Sequence, residues 1–505
     1  MPNDLPEAVN TLVEELRRAN HIGSALSLLG WDQETQMPAQ GAAPRADMIG
    51  ALTEVHHARA TSESMGDKIA AAEDEVRGGD PRLVALVREA KRDWKRARKI
   101  PSDLAQEVAV TCSRSLMAWR SARAGNDFKT FEPQLKLVVA LKRRVAEALR
   151  EGDGSLYDTL LDEYEPGITG AQFQAFCDAV KPRLVQLVAE AAPRCQELRT
   201  DFVTAGYDSD RQLEFSREIL ESMGYDFTRG RLDLTVHPFC TGISSPNDVR
   251  ITTRVDPKDF THNLFSVIHE GGHALYEQGL DPEWSGTPLG AATSLGIHES
   301  QSRLYENVYG RSDAFWVHWL PRFRAAFPGR ADDVTHEQFV AAVNCVRPSL
   351  IRTEADEVTY SLHVMLRFEL EHALIEGNIE VEELPDRWNR LMRELLGVEP
   401  TSDAEGVLQD IHWSMGAYGY FPTYFLGNLY GAQIDRAARQ AMPDLDEQLA
   451  RGEMLPLREW LGEKVHMKGR QFSSLDLVEE VSGDPLDPLG FVEYLEEKVA
   501  RLFPA

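Results

Sequence analysis

The sequence has few basic residues and few cysteines for its length, and no long apolar run near its start. Its 505 residues include 54 Lys and Arg against 81 Asp and Glu, for a formal net charge of −27. Such an acidic chain is not typical of a nucleic-acid-binding protein. The first twenty residues carry four acidic side chains and never assemble the apolar stretch of a signal peptide or a membrane span. We therefore expect a cytoplasmic protein with neither nucleic acid nor membrane among its partners.

The cysteines are also too few and too scattered to define a site. They are odd in number and far apart in the chain, and no C-x-x-C pair occurs among them. This pattern predicts neither a disulfide framework nor a thiolate zinc site. We expect reduced thiols in the core at all five positions: Cys112, Cys177, Cys195, Cys240 and Cys345.

Helical periodicity is abundant along the chain. Apolar residues recur at helical spacing between Leu135 and Leu149, with charged residues between them. The same test predicts helices at roughly 5–30, 42–78, 80–98, 101–124, 170–204, 335–346 and 358–376. Two segments rich in β-branched residues, 231–236 and 249–255, predict strands. Because the turn signals between these segments are short, we expect one predominantly α-helical domain with a small sheet.

The clearest chemical motif lies just after the second predicted strand. The segment 257–278 is predicted to be one helix, and it contains His269-Glu270-Gly271-Gly272-His273. The two histidines are one turn apart on one helix face, where both imidazoles can bind a single metal ion. Glu270 lies at the edge of that face, within reach of a water at the metal. This is the position of a general base.

The ends of this helix and its two glycines carry further information. Asp256-Pro257 is typical of a helix start, and Gly279 is typical of a helix end. Gly271 and Gly272 each cost on the order of 1 kcal/mol relative to alanine in a helix interior. Either the missing side chains let a backbone or substrate approach the metal, or they serve tight helix packing alone.

A third metal ligand is expected downstream, because catalytic zinc sites commonly have three protein ligands and a water. The segment 296–306 reads as a second helix on which Glu299, Ser302, Arg303 and Glu306 share a face. We favour Glu299 as the ligand, against the alternative of a solvated helix glutamate. Glu306 is then a candidate to accept a hydrogen bond from an imidazole N–H.

Beyond these residues, the chain as a whole resembles the carboxypeptidase Taq family of metal-dependent carboxypeptidases. The resemblance runs along most of the sequence and rests on five family patterns, H-E-x-x-H, H-E-S, D-x-R-x-T, I-R-x-x-A-D and G-x-x-Q-D-x-H-W. They stand here as His269–His273, His298–Ser300, Asp248–Thr252, Ile351–Asp356 and Gly406–Trp413. Two further family-like segments are Trp31–Pro38 and Tyr420–Tyr424.

The resemblance implies both a fold and an activity. The fold is a largely helical, two-lobed body with a deep central groove, similar in outline to neurolysin and angiotensin-converting enzyme, with a small β-sheet beside the active site. The activity is the release of single residues from peptide C-termini, with broad side-chain tolerance and poor cleavage beside proline. The resemblance also supports Glu299 as the third ligand, and it implies a homodimer in which residues 1–505 form one catalytic domain.

Catalysis needs donors for the oxyanion as well as a base. We expect Glu270 to take the proton of the attacking water and to return it to the leaving amine. His412, Tyr420 and Tyr424 are donors of the right type for the oxyanion, with His412 preferred. The alternative for His412 is a packed core pair with Trp413, and the sequence leaves open which tyrosine hydroxyl points inward.

An exopeptidase must also bind the terminal carboxylate of its substrate. Guanidinium suits this task because it forms a bidentate, charge-assisted pair, and Arg352 and Arg250 are the candidates. The alternative for Arg352 is a structural ion pair with Glu354 or Asp356. The alternative for Arg250 is an ordinary surface charge on an edge strand.

Some choices stay open at this level. Two histidines and one carboxylate accept Zn²⁺, Co²⁺ or Mn²⁺, and we expect one such ion per chain, with Zn²⁺ favoured. An oligoendopeptidase on the same scaffold would share the metal helix but cut internally. A catalytically silent peptide-binding protein would keep the metal ligands but would have no need of Glu270.

Overall fold

The computed structural model describes residues 5–243 and 246–504. Within these residues the α-helices, in chain order, are α1 (Glu7–Thr35), α2 (Ala42–Ala60), α3 (Glu63–Glu75), α4 (Pro81–Lys99), α5 (Ser102–Gly125), α6 (Phe128–Leu149), α7 (Leu156–Leu161), α8 (Gly170–Cys195), α9 (Ser209–Met223), α10 (Phe260–Gly279), α11 (Leu295–Arg303), α12 (Asp313–Ala326), α13 (His336–Val343), α14 (Glu357–Glu376), α15 (Leu384–Leu396), α16 (Phe421–Ala441), α17 (Leu445–Arg451), α18 (Leu455–Lys464), α19 (Ser474–Ser482) and α20 (Leu489–Leu502). The predicted helical class is confirmed.

The chain divides into two compact units. The first unit contains the chain up to Arg98, Arg199–Val343 and Gln433–Pro485, and it includes the predicted metal helix. The second unit contains Lys99–Leu198, Asn344–Ala432 and the chain from Leu486 onward. The predicted site residues therefore fall into two groups, one within each unit.

A three-stranded sheet belongs to the first unit. Its strands are β1 (Gly230–Leu234), β2 (Cys240–Gly242) and β3 (Val249–Thr253), in the order β1-β3-β2. β1 runs parallel to β3 and β2 runs antiparallel to it. Both predicted strands are confirmed, although each ends two residues earlier than predicted and β1 begins one residue earlier. The strand β2 was missed because three residues are too few to show a period.

Helix α10 lies against the central strand of this sheet. The side chains of Val249, Ile251, Thr252 and Thr253 on β3 are buried. Asn263 Nδ2 of α10 donates to Thr253 Oγ1 at 3.0 Å, so one buried polar pair joins the strand to the helix. The sheet thereby supports the helix that carries the two metal-ligand candidates.

The predicted boundaries of α10 are wrong at both ends. Asp259, not Asp256, is the N-cap, and its carboxylate accepts from the Thr261 N–H at 2.8 Å. Asp256 instead accepts from the Lys258 N–H in a turn of its own. At the other end Gly279 is the last helical residue rather than the cap, and a Cβ there would collide with the ring of His466.

Other helix predictions differ from the structure in their ends. The predicted helix at 42–78 is two helices, because Ser62 caps α3 by accepting from the Met65 N–H at 3.1 Å. The predicted 170–204 helix ends at Cys195. Local capping and turns override periodicity in both places.

The structure bears on two sequence expectations, the absence of a membrane span and the presence of reduced cysteines. Among residues 5–243 and 246–504, every helix is too short or too polar to cross a bilayer. All five cysteines are free thiols, with Cys177, Cys195 and Cys345 buried and the other two half-buried.

Candidate active site

Helices α10 and α11 bring the three predicted metal ligands together. Glu299 Oε2 on α11 lies 3.4 Å from His273 Nε2 and 3.8 Å from His269 Nε2. The three ligand atoms all lie within 4.8 Å of one another, and the described residues contain no other group of histidines, cysteines and acids with this spacing. The separation of one helical turn has put both imidazoles on the side of α10 that faces α11.

The glycines of the motif explain how α11 comes so close. A Cβ on Gly272 would lie 2.6 Å from the carbonyl oxygen of Gln301 and 2.7 Å from Ser302 Cα. A Cβ on Gly271 would lie 2.7 Å from a methyl of Leu220 on α9. Gly272 thus serves the approach of another backbone and Gly271 serves helix packing, so each of the two alternatives applies to one glycine.

Each histidine is held by a partner on its other ring nitrogen. His269 Nδ1 lies 2.8 Å from Glu306 Oε2, which matches the expectation for Glu306. Glu306 belongs to a π-helical segment, Leu304–Tyr309, that continues α11. Single π turns inside helices are frequent at functional sites because they redirect side chains. The contact leaves the Nε2 atom of His269 free to face Glu299.

His273 is held by a residue that the sequence analysis did not assign. Its Nδ1 lies 2.5 Å from His298 Nδ1, and His298 Nε2 lies 3.0 Å from Glu277 Oε1. His298 precedes Glu299 in the H-E-S pattern, so its place in a motif was visible. Its contact with His273 was not visible in the sequence, because that contact joins two helices, α10 and α11.

Arg303 divides the two oxygens of Glu299 between separate tasks. Its Nε donates to Glu299 Oε1 at 2.6 Å, which leaves Oε2 to face both histidines. Arg303 also lies 3.5 Å from Glu306. Burial raises the pKa of Glu299, but Arg303 and the two histidines outweigh burial and hold it well below the usual range. Glu299 is therefore a carboxylate at neutral pH.

The protonation of the two histidines differs. Burial, reinforced by His298, lowers the pKa of His273 to about 3, so the ring is neutral and ready to bind a cation. Burial also lowers the pKa of His269, but Glu299 and Glu306 outweigh it and the net shift is upward. Metal binding at His269 must therefore displace a proton more often than at His273.

Glu270 is the one buried acid of this cluster that keeps a high proton affinity. Only 8% of the residue is exposed, and burial raises its pKa to about 7. The neighbouring His269 lowers this pKa and Glu299 raises it, but both effects are smaller than that of burial. A carboxyl group with a pKa near neutrality can both accept and return a proton.

Arg250 lies on β3 in the first unit and is already engaged. Its Nε and Nη2 atoms each donate to Asp248 at 2.8 Å, one to each carboxylate oxygen. Its guanidinium carbon lies 4.3 Å from the ring centroid of Trp31 on α1. The residue is half-buried and β3 is the central strand, so the alternative of a surface charge on an edge strand is wrong.

Arg352 lies in the second unit and is 6% exposed. Its Nε and Nη2 atoms approach Asp410 Oδ1 at 3.0 and 2.9 Å, and its Nη1 donates to Tyr360 Oη at 2.9 Å. The expected structural partners, Glu354 and Asp356, are not the ones it uses. Asp356 instead caps α14 by accepting from backbone N–H groups.

A second buried arginine shares Asp410, and the sequence analysis missed it. Arg367 on α14 is fully buried and donates to Asp410 Oδ2 at 2.6 Å and to Gln409 Oε1 at 2.7 Å. Two guanidinium groups against one carboxylate give this hydrogen-bonded cluster a formal charge of +1. A buried excess charge is costly unless another group neutralises it.

His412 and the two candidate tyrosines also lie in the second unit. His412 Nε2 lies 3.2 Å from Tyr424 Oη, and its ring centroid is 5.3 Å from that of Tyr420. Within the described part of the chain, His412 Nδ1 is buried and has no hydrogen-bond partner. Burial and the nearby Arg352 lower the pKa of His412 to about 3, so the ring is neutral. An unpartnered polar atom is not expected of a purely packed core pair.

The donor set of the first unit suits a divalent cation. Two imidazole nitrogens and one carboxylate oxygen converge, and each imidazole is oriented by a partner on its far nitrogen. This is the ligand chemistry of a catalytic zinc site with an open position. A helical scaffold with such a site and an adjacent buried glutamate defines the class of metal-dependent peptidases that use an H-E-x-x-H helix.

The comparisons narrow this class to one family. Residues 11–499 match the model of the carboxypeptidase Taq (M32) metallopeptidase family. The chain belongs to that family, which confirms the resemblance seen in the sequence, and it is a metallocarboxypeptidase that acts on peptides with a divalent metal.

Individual relatives match along nearly the whole chain. The thermostable carboxypeptidase 1 of Thermus thermophilus is 42% identical over 509 residues, which cover 99% of each chain. Carboxypeptidase 1 of Bacillus subtilis is 38% identical over 489 residues, which cover 97% of each. Among solved structures, the M32 carboxypeptidase of Deinococcus radiodurans R1 matches with a TM-score of 0.95 and 39% identity, covering 99% of this chain and 100% of that one.

Proposed function

We propose that this metallocarboxypeptidase releases single residues from the free C-termini of peptides, with broad side-chain tolerance and poor cleavage beside proline. The observation that carries the proposal is the buried cluster of Arg352, Arg367 and Asp410, whose formal charge is +1. One carboxylate would neutralise it. The terminal carboxylate is the one anionic group that every peptide with a free C-terminus offers.

Arg352 is the better candidate for the carboxylate contact. Both Arg352 and Arg250 use Nε and Nη2 on an aspartate, but Asp248 carries one arginine whereas Asp410 is shared between two. The charge of Arg250 is therefore already matched within its own pair. Arg250 remains the second candidate.

Glu270 acts as the base and then the acid in this proposal. It accepts the proton of the attacking water and delivers it to the leaving amine, and its pKa of about 7 supports both transfers. His269, His273 and Glu299 would hold one divalent ion, for which we favour Zn²⁺, and the same donors accept Co²⁺ or Mn²⁺. When bound, the ion polarises the scissile carbonyl and acidifies water.

His412 is the preferred donor to the oxyanion. If the hydroxyl of Tyr424 donates to Nε2, the neutral ring carries its proton on Nδ1, the buried atom that lacks a partner. Tyr420 is the further donor in this tautomer, and Tyr424 is a donor in the other one, in which His412 Nε2 donates to the Tyr424 hydroxyl. A neutral donor suits this task because it stabilises developing charge without first having to lose a counter-ion.

The rival functions are less well supported. An oligoendopeptidase has no use for a buried site of excess positive charge, since internal peptide bonds carry no terminal carboxylate. A silent peptide-binding protein has no use for a buried Glu270 with a raised pKa.

We also propose that the whole chain works as one catalytic domain and that it forms a homodimer. We propose that it acts in the cytosol, where its free thiols stay reduced.

The test is cleavage of one peptide of known sequence, supplied with a free C-terminus and with a C-terminal amide. The Zn²⁺-loaded protein should produce a C-terminal ladder from the free acid in mass spectrometry and should leave the amide nearly intact. A version with proline at the penultimate position should stop the ladder. Internal fragments from both forms would instead establish an endopeptidase.

A further inference from the structure

One face of α14 holds the segment 409–419 at two places. Arg367 donates to Gln409 and Asp410 at the start of the segment, at 2.7 and 2.6 Å. One turn further along α14, Glu371 accepts from Trp413 Nε1 at 3.0 Å and from the Gly419 N–H at 3.1 Å. His412 lies between these two attachment points.

Glu371 is completely buried and uses both of its oxygens. Oε1 accepts from the Gly419 N–H and from Tyr157 Oη on α7, the latter at 2.6 Å, while Oε2 accepts from the indole of Trp413. Burying a carboxyl group in a core is unfavourable, and apolar residues of similar volume would pack the same space at lower cost. A specific task at this position would account for the choice of glutamate.

The backbone of the segment turns at two glycines before it reaches Tyr420. Gly416 and Gly419 have φ of +73° and +88°, a backbone conformation that residues with a side chain rarely adopt. A Cβ on Gly419 would also lie 2.7 Å from the backbone nitrogen of Leu161 on α7. The turn is thus pressed against α7 at the residue whose N–H points to Glu371.

We propose that Glu371 is a positioning residue for the peptidase reaction, because it fixes the two neighbours of the oxyanion-donor candidates. Trp413 follows His412 directly, and Gly419 precedes Tyr420 directly. One carboxylate therefore sets the placement of both donors. The inference rests on the proposed function, in which His412 and Tyr420 act on the oxyanion.

The structure allows the Trp413 contact to be removed alone. In Glu371→Gln, the amide oxygen can stay at the place of Oε1 and accept from Tyr157 and Gly419, whereas the amide NH₂ then faces the indole N–H of Trp413. Two donors cannot pair, so this contact is lost. Trp413→Phe removes the same hydrogen bond from the other side and keeps an aromatic ring in place.

The experiment compares kcat and KM of the full-length, Zn²⁺-loaded enzyme for one free-acid peptide. We expect kcat to fall about 10-fold or more in Glu371→Gln, with KM within about twofold of the parent value and with full zinc content. The reason is that misplaced donors reduce the stabilisation of the transition state and leave substrate binding unchanged. Trp413→Phe should give a similar loss, and the double variant should be no worse than either single one.

A matched control separates positioning from the general effect of a buried glutamate. Glu165 in the same unit is also fully buried and accepts from Tyr430 Oη at 3.0 Å. Glu165→Gln should keep the parent kcat. Parent kcat in Glu371→Gln, or equal losses of kcat in both glutamine variants, would overturn the proposal.

His412→Ala distinguishes this inference from the proposed function. If His412→Ala lowers kcat and adding Glu371→Gln then changes it little, Glu371 acts through His412, as proposed. If His412→Ala keeps full kcat, the proposed role of His412 fails. A full additional loss in the double variant would also overturn the positioning role through that residue.

Discussion

His273 and His298 face each other through their Nδ1 atoms, 2.5 Å apart, so one proton must lie between them. If His273 binds the metal through Nε2, its Nδ1 carries that proton and donates it to His298. His298 must then be protonated on Nε2, where it donates to Glu277 at 3.0 Å. The carboxylate of Glu277 thus orients a metal ligand through an intervening imidazole, which lengthens the usual carboxylate–histidine–metal arrangement by one ring.

This relationship predicts that His298→Ala weakens zinc binding. His273 would lose the acceptor that fixes its tautomer and ring orientation, so zinc affinity should fall by about 10- to 100-fold. Competition with a zinc chelator measures the change without reference to activity. Glu306→Gln, which disturbs the partner of His269, is the matched variant, and unchanged affinity in His298→Ala would show that the contact does not orient the ligand.

Glu270→Gln should separate metal content from turnover. The amide cannot accept a proton, whereas all three ligands remain, so zinc content should stay full and kcat should fall by on the order of 100-fold or more. In the parent enzyme kcat/KM should rise as pH increases through the pKa of Glu270. Without a metal ion, burial among these residues raises that pKa to about 7, and a bound cation lowers it. Substantial turnover in a zinc-loaded variant would remove Glu270 from the role of base.

Glu299→Ala should lose the metal at neutral pH. Two neutral histidines offer a divalent ion too few ligands and no negative charge. The variant also removes one of the two carboxylates that Arg303 contacts, so the net charge beside the site becomes more positive. Elemental analysis after dialysis is the measurement, and Glu299→Gln is the control that keeps the size of the side chain. Full occupancy in both variants would mean that the third ligand is elsewhere.

Arg352→Ala should abolish the preference for free acids over amides. If Arg352 pairs with the substrate carboxylate in a desolvated site, its loss costs about 2 to 5 kcal/mol, so kcat/KM should fall by on the order of 30-fold or more. The comparison uses free and amidated forms of one peptide, and Arg250→Ala is the control. If Arg250→Ala loses the preference for the free acid and Arg352→Ala keeps it, the role belongs to Arg250. If both variants keep the preference, neither arginine binds the terminal carboxylate.

The stability of the protein should depend on pH through Glu371. Burial raises its pKa from 4.5 to about 7, while hydrogen bonds from Tyr157, Trp413 and Gly419 limit the rise. The folded state therefore binds a proton that the unfolded state has released, so this stabilisation is complete below about pH 4.5 and is lost as the pH rises through about 7. The loss amounts to about 3 kcal/mol. Urea unfolding between pH 5 and 8 should be less pH-dependent in Glu371→Gln.

The sequence predicted those parts of the site that follow from local spacing. The separation of four residues between His269 and His273 is enough to define a ligand pair, and the helical spacing of Glu299 and Glu306 placed both on a face turned toward that pair. The predicted start of α10 was wrong because Asp256 and Asp259 are both good caps, and local spacing does not distinguish them.

The missed residues all act through tertiary contacts. His298, Arg367 and Glu371 lie on helices whose faces are identified only when their partners are known. Nothing local distinguishes Arg367 from a solvated arginine, since its partners Gln409 and Asp410 are distant in the chain. A single sequence records which groups can pair but not which of them meet.

The contact at Gly272 has a consequence for the choice of ion. The carbonyl of Gln301 lies where a side chain of residue 272 would be, so main-chain atoms set the spacing between the imidazoles and Glu299. Main-chain atoms cannot change rotamer, and the two helices already touch. A cation of a different radius therefore has to be accommodated by tilting the rings and the carboxylate, because the helices cannot draw closer. The absence of a side chain at residue 272 therefore sets how closely the two helices approach, and only side-chain rotation can adapt the site to ions of different radius.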